Sequence, residues 1–208
     1  MNIDGQAWRT IWLEADQRSV GVIDQTLLPH RLITRTLTRC DQAADAISTM
    51  VVRGAPLIGV TGAYGLMLAL QDDASDAGLA QAFDQLNASR PTAVNLRWAL
   101  ERVRDLVQPL PEAERAAAAR REAALIADED VAMCEAIGEH GLDLFRTLAE
   151  QRPRERQNEP LQVLTHCNAG WLATVDWGTA LAPIYKAHRA GLNIHVWVDE
   201  TRPRNQGA

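Results

Sequence analysis

Leu161-Gln-Val-Leu-Thr-His-Cys-Asn-Ala-Gly170, followed by Trp171-Leu-Ala-Thr and Gly178-Thr-Ala-Leu181, is the stretch whose reading decides the fold. Gln162 to Thr165 is a short apolar run that ends at a small-residue turn, as a buried strand would. The pattern then predicts a helix over about residues 173–189, closed by Gly191. Leu192-Asn-Ile-His-Val-Trp-Val198 reads as a second strand. A crossover of this length makes the two strands parallel neighbours whose C-terminal ends share one edge. His166-Cys167-Asn168 and Asp199-Glu200-Thr201-Arg202 then face a common crevice, where open α/β sheets bind ligands. A thiol beside a histidine at the start of a helix is where a thiolate forms most readily, so Cys167 is the candidate reactive group. Asp199 and Glu200 are candidate acid–base partners. Two plainer readings compete: a structural cysteine at a strand end, and a carboxylate clamp on Arg202 or Arg204. Adjacency does not make His166 and Cys167 a dyad, because neighbours at a strand end can point to opposite faces.

Upstream, Gln151-Arg-Pro-Arg-Glu-Arg-Gln-Asn-Glu-Pro160 is polar and proline-bounded, and it reads as a linker between residues 1–150 and 161–208. Residues 111–148 carry one long helical pattern, broken near Gly138 or Gly141, with Leu125, Val131, Cys134, Ile137, Leu142 and Phe145 as its buried stripe. Cys134 is thereby a core residue. Residues 7–13 and 19–24 are β-branched and aromatic and predict a hairpin that Leu27-Leu28-Pro29 ends. Asp41 is the expected N-cap of the following helix.

Two arginines each precede a helix start. In Val52-Arg53-Gly54-Ala55-Pro56 the proline marks the first turn, so the loop combines free amides, the helix dipole and a guanidinium, a combination suited to phosphate. Arg90-Pro91-Thr92-Ala-Val-Asn-Leu96 repeats the device, with Thr92 as the capping hydroxyl. The alternative is that Arg53 pairs with a surface carboxylate and Arg90 only fixes its loop. Gly59, Gly62 and Gly65 recur every third residue, a face for close helix packing rather than a dinucleotide fingerprint.

The net charge of −6 comes without a basic patch, which excludes nucleic acid as a partner. The longest apolar run, Leu57 to Leu70, is too short to span a membrane. Cys40, Cys134 and Cys167 form no CxxC pair and lie far from metal-ligand spacing, so no metal site is expected. An odd cysteine count and an N-terminus without leader features predict a cytoplasmic protein.

Six segments occur in the order seen in one family: Met50-Val-Val-Arg-Gly-Ala-Pro, Arg90-Pro-Thr-Ala-Val-Asn-Leu, Ile137-Gly-Glu-His-Gly, Leu164-Thr-His-Cys-Asn-Ala-Gly, Gly178-Thr-Ala-Leu and Val198-Asp-Glu-Thr-Arg-Pro-Arg-Asn-Gln-Gly-Ala208. Over essentially its whole length the chain resembles the methylthioribose-1-phosphate isomerases of the initiation-factor-2B alpha/beta/delta-like family. The resemblance implies an α/β protein. A small N-terminal domain, a β-hairpin plus helices, would precede the start of a Rossmann-like parallel-sheet domain. It implies isomerisation of 5-methylthioribose 1-phosphate to 5-methylthioribulose 1-phosphate in methionine salvage, without cofactor, by a homodimer. Carried over, Arg53, Gly54, Ala55, Arg90 and Gln206 would bind substrate and Cys167 would be catalytic. The family's catalytic aspartate would fall beyond residue 208, so the chain is expected to be truncated and poorly active alone. Related proteins imply two other readings, a ribose-1,5-bisphosphate isomerase and a non-catalytic regulatory subunit of the translation-factor exchange complex.

Overall fold

Residues 1–156 and 158–199 are described by a computed structural model; Gln157 and residues 200–208 lie outside the described residues, and with them the expectations on Glu200, Arg202, Arg204 and Gln206. The N-terminal β-branched runs do pair. A small ribbon of β1 (Asn2–Ile3) and β2 (Gln6–Ala7) precedes β3 (Ile11–Leu13), which lies antiparallel to β4 (Val20–Ile23). A third strand, β5 (Thr34–Leu37), then adds to β4, although the sequence reading ended the hairpin at Pro29. Its Thr-Arg-Thr-Leu buries only Leu37, so no apolar alternation marks it. As the central strand, β4 is buried at all four residues.

Asp24 closes β4 and is itself buried, accepting hydrogen bonds from the Thr26 amide and hydroxyl (3.0 and 2.6 Å) and from Arg35 Nε (2.7 Å). Burial alone would raise its pKa, but the donated bonds from Thr26 and Arg35 outweigh it and hold the carboxyl below its ordinary value.

The helices are α1 (Cys40–Ser48), α2 (Ala55–Asp72), α3 (Asp76–Ser89), α4 (Val94–Val107), α5 (Glu112–Glu150) and α6 (Ala182–Arg189). Asp41 is not the N-cap of α1. That position is Arg39, and the Gln42 side chain accepts from the Thr38 and Arg39 amides at 2.7 and 3.2 Å. The core is built around α2, which is apolar on all sides. Its glycine face works as expected: a Cβ at Gly62 would meet Leu96 at 2.4 Å and one at Gly65 would meet Leu86 at 2.7 Å.

Two expectations about α5 fail. The helix runs unbroken through Gly138 and Gly141, and Leu125 (46% exposed) and Ile137 (38%) are not part of a buried stripe. Its buried face instead carries Arg115, Ala118, Ala119, Ala123, Ile126 and Ala127, with Cys134, Gly138 and Leu142 further along. The glycines serve the crossing of α6: a Cβ at Gly141 would lie 2.4 Å from Pro183, and one at Gly138 would lie 2.8 Å from Lys186. Lys186, the only lysine in the chain, is buried there with Nζ 2.5 Å from Glu139 and 4.3 Å from the centre of the Trp177 ring.

β6 (Leu161–Thr165) and β7 (Ile194–Val198) are parallel, in register from Leu161 opposite Ile194 to Thr165 opposite Val198. The chain is thus an α/β protein, as the strand–helix–strand pattern predicts. The crossover helix is shorter than the expected 173–189, however. A 3-10 turn (Trp171–Ala173) and a loop precede α6. The backbone there bonds outward: the Thr10 amide donates to the Val175 carbonyl (2.9 Å) and the Val175 amide donates to Asp130 (2.7 Å). Those bonds replace the helical ones.

An exposed helical glycine changed to alanine would add up to about 1 kcal/mol of stability. At Gly141 the rigid Pro183 ring cannot yield, so Gly141→Ala is expected instead to destabilise by about 1–3 kcal/mol, read by denaturant titration. A stabilised variant would contradict this α5–α6 packing. Because the folded pKa of Asp24 is depressed, its contribution is present above its unfolded value and is lost as pH falls through the folded value. Stability measured below about pH 4 should therefore fall less steeply in Asp24→Asn than in the parent chain.

Candidate functional site

Val51 and Val52 are buried, and the chain then turns sharply into α2 through Gly54 at φ +107°. Only glycine fits there, for two reasons. The dihedral is unfavourable for any L side chain, and a Cβ would lie 2.4 Å from the Cα of Ala173. The arginine loop is therefore pressed against the 3-10 turn that follows Cys167. Gln25, 1% exposed, ties the two together: its Nε2 donates to the Leu172 carbonyl at 2.7 Å, and its Oε1 accepts from Arg53 Nε at 3.1 Å. Pro56 occupies the first turn of α2, as expected, and the amides of Ala55 and Leu57 have no partner within the helix. A guanidinium and a helix N-terminus thus share one loop, a ready anion site.

Arg90 sits differently from its expectation. It ends α3, and the residue before α4 is Ala93, whose amide bonds the Arg90 carbonyl at 2.9 Å; Thr92 is not the cap. The start of α4 nonetheless lies beside α2, since a Cβ at Gly59 would be 2.9 Å from the Asn95 carbonyl oxygen. Both arginine loops are therefore at one end of the helical bundle.

Cys167 is an exposed free thiol at φ +72°, a conformation that costs a non-glycine residue about 1–3 kcal/mol. The turn is held by the Ala169 carbonyl, which accepts from the amides of Thr179 (3.0 Å) and Leu181 (3.4 Å). The expectation of a helix starting at this thiol is wrong: a 3-10 turn and a loop follow it, and the next α-helix begins only at Ala182. The neighbours of the thiol do share the predicted edge. Among the described residues, His166 Nδ1 lies 3.4 Å from Asp199 Oδ2, both side chains being exposed. The Nδ2 of Asn168 and the hydroxyl of Thr165 are buried without a hydrogen-bond partner among the described residues, flanking the thiol with unspent polar capacity.

Asp130, on α5, receives the Val175 amide; burial raises its pKa and this hydrogen bond counteracts the rise. Gln25 and Asp130 had no sequence signal, because Leu172 and Val175, which they bond, lie 147 and 45 positions away in the chain. Asn168 lies inside the quoted stretch and could have been singled out as the amide beside the thiol. Among the described residues no three His, Cys, Asp or Glu side chains cluster to hold a metal, and no helix is long and apolar enough to cross a membrane.

Comparison with known proteins places this architecture. The chain is 59% identical over its full length to a methylthioribose-1-phosphate isomerase of Rhodospirillum centenum and 61% identical to one of Methylorubrum populi. It spans 54% and 56% of those proteins, little more than half of the relatives' length. Among solved structures, a 5-methylthioribose 1-phosphate isomerase from Pyrococcus horikoshii superposes with a TM-score of 0.79 at 37% identity, over 97% of this chain and 55% of that one. The delta subunit of a translation initiation factor eIF-2B from A. fulgidus does so equally well, at 38% identity over 97% of this chain and 57% of its own. The sequence model of the initiation factor 2 subunit family matches residues 51–208, from the arginine loop through the thiol turn to the end of the chain. The chain belongs to the initiation factor 2 subunit family.

Proposed function

We propose that the chain carries the anion-binding loops and the thiol of an enzyme converting 5-methylthioribose 1-phosphate to 5-methylthioribulose 1-phosphate in methionine salvage. The observation that carries this reading is the Gln25 bridge, which sets the Arg53 loop against the turn following Cys167. Identity of 59% and 61% over this chain, about half the length of proteins named for this substrate, supports the substrate.

Arg53, Gly54, Ala55, Arg90 and Gln206 bind the sugar phosphate in this reading, with the phosphate at the start of α2. A phosphate on C1 blocks opening to a free aldehyde. The hydrogen on C2 must therefore end on C1 while the C1 to ring-oxygen bond breaks. The C2 hydroxyl becomes the carbonyl, and its proton goes to the former ring oxygen. Cys167 handles one of these protons, its exposure at the strand edge giving access to substrate. The catalytic aspartate, the homodimer and the cytoplasmic setting belong to the same proposal, as do the absence of cofactor and nucleic acid. So does a division into units 1–150 and 161–208 across the 151–160 linker.

One finding favours a second reading. The eIF-2B delta subunit shares the fold at the same TM-score, which fits a binding subunit without chemistry. The two readings part in a turnover assay on a polypeptide that carries these residues at the relatives' full length. Turnover of 5-methylthioribose 1-phosphate is expected, exceeding that of ribose 1,5-bisphosphate, with a loss of about 10²–10⁴-fold in Cys167→Ser. No turnover of either sugar would leave the subunit reading; preference for the bisphosphate would reassign the substrate. Gln25→Met removes the hydrogen bonds to the Leu172 carbonyl and from Arg53 Nε, a cost of about 1–3 kcal/mol. It is expected to raise KM about tenfold with a smaller change in kcat.

A further inference from the structure

The turn that carries the thiol is held by the loop behind it. Trp177 and Gly178 are consecutive left-handed residues, at φ +67° and +78°, a backbone region that L side chains seldom adopt. They fold the loop back so closely that a Cβ on Gly178 would lie 2.3 Å from the carbonyl carbon of Gly170. In that position the amides of Thr179 and Leu181 donate to the Ala169 carbonyl, just beyond Cys167. The Trp177 ring is approached by two cations, Lys186 Nζ at 4.3 Å and Arg189 Cζ at 4.8 Å from its centre. Arg189 is exposed, so water screens its contact. Lys186 is buried, and a desolvated cation is held more strongly by a ring face. Its ammonium also lies 2.5 Å from Glu139 and 3.5 Å from Glu135 on α5, which offsets the cost of burying it. Its stem crosses α5 at Gly138, where a Cβ would stand 2.8 Å away. Lysine's slim stem and point charge suit such a crossing better than a planar guanidinium does, and this is the chain's only lysine.

We propose that Lys186 is a positioning residue for the thiol: through Trp177 it fixes the loop that holds Cys167 at the strand edge. The inference rests on the isomerase reading above and deepens it. Glu139 on α5 holds the ammonium, the ammonium holds the Trp177 ring, Trp177 sets Gly178 against Gly170, and Thr179 closes on Ala169. This route joins three segments singled out in the sequence, 137–141, 164–170 and 178–181, the first and last of which the anion loops leave without a role. The Arg53 loop is held elsewhere, by Gln25 at Leu172. Between Leu172 and Trp177 the chain is pinned independently at Val175, by Thr10 and Asp130. Loss of the Lys186 charge therefore loosens the thiol turn and leaves phosphate binding in place. It acts on the step that the thiol performs, where a small misplacement far from the reacting atoms is enough to slow the chemistry.

The test uses a polypeptide that carries these residues at the relatives' full length, with kcat and KM on 5-methylthioribose 1-phosphate and site-resolved amide hydrogen exchange as readouts. Lys186→Met keeps the stem and removes the charge. Trp177→Leu removes the ring from a half-buried loop position, so it carries the test if the first variant does not fold. Each is expected to lower kcat about tenfold with KM within about twofold of the parent. Each should also speed exchange in residues 167–181 about tenfold while α2 exchanges as before. Trp177→Phe keeps a ring face for the ammonium and should behave as the parent. The double variant Lys186→Met/Trp177→Leu should be no worse than either single one, because both cut the same link. An unchanged kcat, additive losses in the double variant, or exchange that rises equally throughout the chain would overturn the positioning role and leave the isomerase reading standing. A parent without turnover of that sugar would overturn the isomerase reading, while the exchange of residues 167–181 would still accept or reject the link from Lys186 to the thiol turn.

Discussion

The buried side chain of Gln25 is the link on which the site's assembly depends. Its amide has one donor group and one acceptor group, and it places the first on the Leu172 carbonyl and the second on Arg53. An amide enclosed this fully must satisfy both or lose stability. The arginine loop at the start of α2 is thereby fixed relative to the turn beyond the thiol. Neither segment contains the information to find the other. Gly54 sharpens the constraint, since its missing Cβ lets the two backbones touch at Ala173.

The same economy of volume recurs where α5 meets α6. Gly138 and Gly141 admit Lys186 and Pro183, and Lys186 then reaches Glu139 and the Trp177 face. A glycine in a helix is ordinarily read as a weakness or a break, because it loses conformational entropy without contributing side-chain contacts. Here the helix continues because a partner covers the gap, and that partner lies more than forty residues downstream. Local propensity was overridden by packing.

Much of the fold was legible. The parallel pair β6 and β7, the start of α2 at Pro56 and the glycine face of α2 follow from periodicity, from proline's missing N–H and from small-residue spacing. β5 was not legible because its exposed Thr-Arg-Thr carries no alternation, and the long crossover helix was not because loop 174–181 trades helical bonds for Thr10 and Asp130. Of the candidate site residues, Arg53, Gly54 and Ala55 stand at the predicted helix start. Arg90 instead ends the preceding helix, and Gln206 lies outside the described residues. Cys167 keeps its place at the strand edge, but the helix expected directly after it begins only at Ala182.

The sequence by itself determined the elements that local chemistry controls: a thiol closing an apolar strand, an arginine before a proline-led helix, a second strand able to lie parallel to the first. It also carried the family resemblance, because ordered motifs survive without any knowledge of contacts. Only the tertiary structure decided what those motifs face. The left-handed backbone at Cys167, the approach of His166 to Asp199, the Gln25 bridge and the pairing of Lys186 with Glu139 each arise from residues distant in the chain. Their energies come from burial and from hydrogen bonds made after the chain has closed, and a pattern of neighbours along the sequence cannot express them.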